Sequence, residues 1–152
     1  MDIPRVVQEI QYVLAPAVMV SSAALLLLGF QNKFSSLANR FRVLNEEKRV
    51  LGSKAERTYQ EEGRFQSLKK QVDHLMRRAT YVKNAIILAY ASIVCFSATS
   101  VMIFLNVYAR FYFGVLLIAV FLTGLLLVLA SAVSMMVETS LFYKIISLEK
   151  KS

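Results

Sequence analysis

Tryptophan is absent from the chain, and cysteine and histidine occur once each, as Cys95 and His74. A single cysteine excludes a disulfide framework within the chain, and one cysteine with one histidine is too few ligands for a structural zinc site. Cys95 falls in the middle of an apolar run, where a small packing residue is expected, and His74 falls on a solvated helix face. Also missing are a nucleophile beside a base, paired carboxylates and a phosphate loop, so no catalytic residue, cofactor or metal ligand is expected. A further gap concerns charge. No Asp, Glu, Lys, Arg or His lies within 10–30, 85–105 or 115–137. Ionisable groups inside a bilayer mark proton relays and coupled transport, so this gap argues against a pump or a proton-coupled carrier.

Those three charge-free stretches hold much of the apolar content, which is 57% of the 152 residues. A hydrocarbon core about 30 Å thick needs roughly 20 helical residues, and each stretch is that long. A helix satisfies its own backbone hydrogen bonds, which lipid requires. Thirteen of the 18 Lys and Arg lie between 32 and 84, and Lys144, Lys150 and Lys151 follow the third stretch. Only Arg5 and Arg110 fall on the other side. The positive-inside rule then sets the topology. It gives an external N-terminus (1–9), transmembrane helix 1 (10–30), a cytoplasmic segment (31–84) and transmembrane helix 2 (85–105). A short external loop (106–114), transmembrane helix 3 (115–137) and a cytoplasmic C-terminal tail (138–152) complete it. A cleaved signal peptide is the competing reading of the first stretch. Asp2 and Glu9 offset Arg5 there, so the basic n-region is lacking.

The cytoplasmic segment carries heptad spacing. Leu27, Phe30, Phe34, Leu37, Phe41 and Leu44 advance by alternating steps of three and four. Phe65, Leu68, Val72, Leu75, Ala79, Val82 and Ile86 do the same. Both are a/d seams that cross the membrane boundary in phase. They predict an antiparallel coiled-coil hairpin with arms 31–51 and 64–84, divided by Gly52 and Gly63. Ser53 and Glu56 fit a capping box, which predicts a short tip helix over 54–62. The alternative is one unbroken helix running from Lys54 into the second span.

Lys33, Arg77, Arg78, Lys83 and Lys144 are the cations nearest the membrane and are expected to meet anionic lipid headgroups. Topology accounts for the basic charge, and no nucleic-acid-binding module is recognisable. Lys69, Asp73 and Arg77 form a four-spaced ladder that reads as a solvated face. Small residues recur at steps of four in Ala17 and Ser21, in Ala91, Cys95 and Thr99, and in Ala130 and Ser134. That spacing lets helices approach closely in lipid. A pore lined by Ser97, Ser100 and Asn106 in an oligomer is the alternative. Glu138 reads as a plain interfacial charge, and Pro16 as a proline placed where it costs little, in the first turns of its span.

The stretch Leu14-Ala-Pro-Ala-Val-Met-Val-Ser-Ser-Ala-Ala-Leu-Leu-Leu-Leu-Gly29, followed by Asn32-Lys-Phe and Arg40-Phe-Arg42, resembles an uncharacterised bacterial family. Its members are short three-span inner-membrane proteins, classed as a domain of unknown function. Where that family carries a glycine in the Ser-Ala-Ala step, this chain has Ala23 and Ala24. The resemblance implies a bacterial inner-membrane location and brings no activity, cofactor or catalytic residue. The expected fold is thus an all-α membrane protein with three transmembrane helices and a cytoplasmic hairpin between helices 1 and 2. The expected role is a non-enzymatic, homo-oligomeric scaffold or interaction subunit, with a pore-forming ion channel subunit as the alternative. Its expected partners are the lipid bilayer and either copies of itself or another membrane complex.

Overall fold

The computed structural model describes residues 3–54, 56, 58–108 and 114–149, and the side chains of 7, 10–54, 56, 58–107 and 114–140. Three helices make up the fold: α1 (Ile3–Gly52), α2 (Tyr59–Tyr108) and α3 (Gly114–Glu149). No strand occurs among the described residues. Both α1 and α2 have 50 residues. At about 1.5 Å per residue each is roughly 75 Å long, more than twice a hydrocarbon core of about 30 Å. Each of the three contains a stretch long and apolar enough to cross a membrane. The charged remainders of α1 and α2 continue from their apolar stretches without a break, as the in-phase seams predict.

α2 is the centre of the bundle. α1 and α3 each pack along it and scarcely touch one another. Leu27 and Phe30 of α1 cluster with Ala85 and Ala89, and Leu37 clusters with Leu75 and Val82. Position falls along α1 as it rises along α2, so the pair is antiparallel. Phe96 stacks on Phe121 of α3 with ring centroids 5.6 Å apart and planes tilted by 58°. The buried residues of α2 show how one helix serves two neighbours. Leu68, Val72, Leu75, Val82, Ala85, Ala89, Ser92, Phe96, Thr99 and Ile103 advance by steps of three, four or seven throughout. This is a 3.5-residue repeat, the spacing that keeps one stripe facing its partners over a long helix. Pro16 lies inside α1 and is buried. Lacking an N–H, its ring cannot donate to the hydrogen-bond ladder of the helix.

The connection between α1 and α2 differs from expectation. No separate tip helix forms over 54–62: the described residues 54, 56 and 58 are not helical, and 59–62 already belong to α2. α1 ends at Gly52, where the Ser53 amide donates to the Arg49 carbonyl at 3.0 Å and the Ser53 hydroxyl to the Val50 carbonyl at 2.9 Å. Ser53 therefore closes α1 instead of capping a tip helix. The N-cap of α2 is Thr58. Its amide donates to Glu61 Oε2 at 3.1 Å, the reciprocal half of a capping box set five residues later than the Ser53 motif. The Lys54 ammonium also pairs with Glu61. That ion pair and the Thr58 amide hold the Glu61 carboxyl below its ordinary range. Gly63 lies within α2 and does not begin an arm. A glycine inside a helix costs about 1 kcal/mol relative to alanine, too little to break a helix that is capped and packed.

The small-residue stripe of the second span holds in part, with Thr99 buried and Cys95 beside Gly124 of α3, but the other two stripes are differently placed. Ala17, Ser21 and Ala130 are exposed on the bundle surface. The close approaches use Ala23, Ala85, Ala89, Ser92 and Ser131 instead. The Ser92, Thr99 and Ser131 hydroxyls each donate to a carbonyl of their own helix, at Ala89, Cys95 and Val128. Satisfied locally, they pack as small residues and ask nothing of the facing helix.

Candidate functional site

Three ionisable residues converge where the apolar and charged parts of the molecule meet. Lys33 follows the buried Phe30 by three residues on α1, and Arg78 lies between the buried Leu75 and Val82 on α2. Glu138 follows Ser131 and Met135 by steps of four and three on α3. Each helix thus delivers its charge by continuing its packing stripe. The Glu138 side chain is fully buried. Arg78 Nε and Nη2 reach Glu138 Oε1 at 2.9 and 2.8 Å. The Lys33 ammonium pairs with Glu138 Oε2 and donates to the Thr139 hydroxyl at 3.0 Å. The Thr139 hydroxyl in turn donates to the Met135 carbonyl at 3.0 Å. Arg78 keeps 14% of its side chain exposed and Lys33 33%. A buried carboxylate is tolerable only when matched by opposite charge and hydrogen bonds, and two cations provide both here.

This arrangement corrects the plain interfacial reading of Glu138. It also turns Lys33 and Arg78, expected at lipid headgroups, inward onto a protein carboxylate. Arg77 and Lys83 remain exposed. The Lys144 side chain lies outside the described residues. On α3 the buried positions Gly124, Ser131 and Glu138 are seven apart, a repeat that the continuous apolar run hides in the sequence.

The arms present a second feature. Leu68, Val72, Leu75 and Leu37 are buried, and Phe65, Phe41 and Leu44 are partly so. Phe34 departs from the seam, with 38% of its surface exposed. It borders a cleft of about 140 Å³ whose floor includes Leu37, Phe41 and Leu75, with the exposed Met76 on the opposite lip. Nearer the tip the Arg64 guanidinium reaches Glu47 in a bidentate pair at 2.8 and 3.2 Å, which raises the Arg64 pKa. The proposed pore residues do not share a surface. At about 100° per residue, Asn106 lies roughly 180° around α2 from Ser97.

A family model described as "Protein of unknown function (DUF2721)" matches residues 13–148. No curated protein and no solved structure matches the chain.

Proposed function

The chain belongs to that family, and from this premise we propose that it is a non-enzymatic scaffold or interaction subunit of a bacterial inner membrane. In this reading it crosses the bilayer three times, N-terminus outside and C-terminus in the cytoplasm. The arms of α1 and α2 form a cytoplasmic antiparallel coiled-coil stalk, and the chain assembles with copies of itself. The observation that carries the reading is the single 3.5-residue repeat of α2, from Leu68 to Ile103, shared by the charged arm and the apolar stretch. A stalk joined to its membrane helices without a hinge holds a docking surface at a fixed distance from the bilayer. The cleft between Phe34 and Met76 supplies exposed apolar surface for that docking. Arg77 and Lys83, with Lys144, are assigned to anionic headgroups at the base of the stalk.

Copy number in lipid nanodiscs, read by native mass spectrometry or single-molecule photobleaching, tests assembly. Phe34→Ala with Phe41→Ala should lower it, and Lys48→Ala with Arg49→Ala should leave it unchanged. A wild-type chain that stays monomeric at every concentration would overturn self-assembly. Topology is tested separately. A reporter after Ser152 should be active only in its cytoplasmic format, and one near Arg110 only in its external format. The stalk is tested by Leu37→Cys with Leu75→Cys in a Cys95→Ala background, which should crosslink within one chain.

A further inference from the structure

At the end of the bundle away from the arms, the three helices line an open cavity of about 510 Å³. Its wall takes Ala15 and Pro16 from α1, Thr99 and Ile103 from α2, and Leu117 and Phe121 from α3. The volume is that of a small-molecule site, about 300–1,000 Å³. The lining is almost wholly apolar. Thr99 is its deepest polar residue, and that hydroxyl donates to the Cys95 carbonyl at 2.9 Å. With its proton satisfied inside its own helix, Thr99 can only accept from a water, and the apolar lining offers that water few other partners. Among the described residues, polar side chains recur in the lining only toward the rim, at Asn106 and Tyr12. From Thr99 to Asn106 the cavity follows α2 for about 10 Å.

We infer that this cavity holds one acyl chain of a membrane phospholipid, tail toward Thr99 and Phe121, ester region beside Asn106 and Tyr12. Polarity selects this occupant. The interior matches hydrocarbon, and the rim places an amide and a phenol at the interfacial depth where such groups settle in bilayers. Access selects it as well. α1 and α3 scarcely touch, so the cavity opens sideways between them into the surrounding lipid. Their tie through Lys33 and Glu138 lies at the opposite end, toward the arms. The inference rests on the three-span reading but not on which face is cytoplasmic or on self-assembly.

The absence of tryptophan makes the test direct. Leu117→Trp places the only indole in the cavity, and Leu126→Trp places it on the exposed surface of the same helix. Each variant is reconstituted with phosphatidylcholine brominated on its acyl chains, then diluted into unlabelled vesicles. Quenching at position 126 should disappear as fast as bulk lipid mixes. Quenching at position 117 should recover at least tenfold more slowly, and Ala15→Phe, which fills the cavity, should abolish that lag. Equal recovery at the two positions would overturn the inference. So would a position 117 that is never quenched because a second copy covers the opening. Native mass spectrometry of the unsubstituted chain gives an independent reading. One phospholipid should survive detergent exchange and be lost in Ala15→Phe, and a lipid-free spectrum would overturn the inference even if the tryptophan variants failed to fold.

Discussion

Between 59 and 84, α2 buries Leu68, Val72, Leu75 and Val82; between 85 and 105 the same stripe buries Ala85, Ala89, Ser92 and Thr99, with Phe96 the largest among them. The repeat is the same and the chemistry is not. Arms in water gain by removing apolar volume from solvent, roughly 1.5–3 kcal/mol for each large side chain fully buried. Helices in lipid gain nothing by hiding leucine from an equally apolar medium, so their stability depends on close approach. On the three-span reading, one helix thus changes its packing strategy where its surroundings change from water to lipid. At that junction stands the Glu138 cluster, the one place where a full charge is completely enclosed among the described residues.

The largest effect is expected at the junction. Glu138→Ala leaves Lys33 and Arg78 without their carboxylate, and losing one partner of a buried ionic group costs about 3–5 kcal/mol. Stability in detergent, measured by steric trapping, should fall by that order. Arg78→Ala with Glu138→Ala should cost less than the sum of the two single changes. An additive pair would separate Arg78 from the cluster. Next comes a matched pair of buried leucines, Leu75 in the arm and Leu27 in the apolar stretch. Leu75→Ala should cost about 2–5 kcal/mol. Leu27→Ala should cost less, because lipid replaces what the protein gives up. Equal losses would break the comparison.

Glycines sharpen it further. A Cβ at Gly124 would lie 2.9 Å from the Phe96 ring and 3.1 Å from Cys95 Cβ. Gly124→Ala should therefore destabilise by about 1–3 kcal/mol, and Phe96→Leu should recover part of the loss. At Gly63, in the arm, a Cβ meets nothing within 4 Å. Gly63→Ala should stabilise by about 0.5–1 kcal/mol, read as a raised melting temperature. The smallest effect is the pH dependence of the tip. Glu61 has a lowered folded-state pKa, so its contribution is complete above the ordinary carboxylate range and is lost as pH falls through the lowered value. Helical content near the tip, followed by amide exchange, should drop in that acidic window, and Glu61→Gln should remove the pH dependence.

Three helices long and apolar enough to cross a membrane, and the charged continuations of two of them, were legible because hydropathy and spacing are signals carried by many residues. Losing Phe34 to the surface did not disturb the phase set by Leu37, Leu75 and Val82. The tip was harder to read. Ser53 with Glu56 and Thr58 with Glu61 are equally good capping boxes in one dimension, and only the stop of α1 at Gly52 decides between them. Glu138 was harder still. Its burial requires Lys33 and Arg78, which lie 105 and 60 positions away in the chain. No local pattern states that three helices will bring them to one level. The stripes at Ala17 and Ser21 failed for a related reason, since small-residue spacing marks a face able to pack without saying which face does.

The position of α2 between its neighbours also governs the order in which the molecule can be built. During synthesis α1 emerges first and has nothing to lean on until α2 follows. Lys33 and Arg78 are both made before the Glu138 carboxylate with which they pair. The last helix brings that carboxylate, and it meets both cations only if α3 enters at the right depth and turned the right way. Glu138 is therefore the last member of the cluster to be made, and its two ion pairs need α3 at one depth and one rotation. A nascent chain halted before Gly114 should leave position 33 open to water, which maleimide labelling of Lys33→Cys, in a Cys95→Ala background, would report. Release to full length should close it.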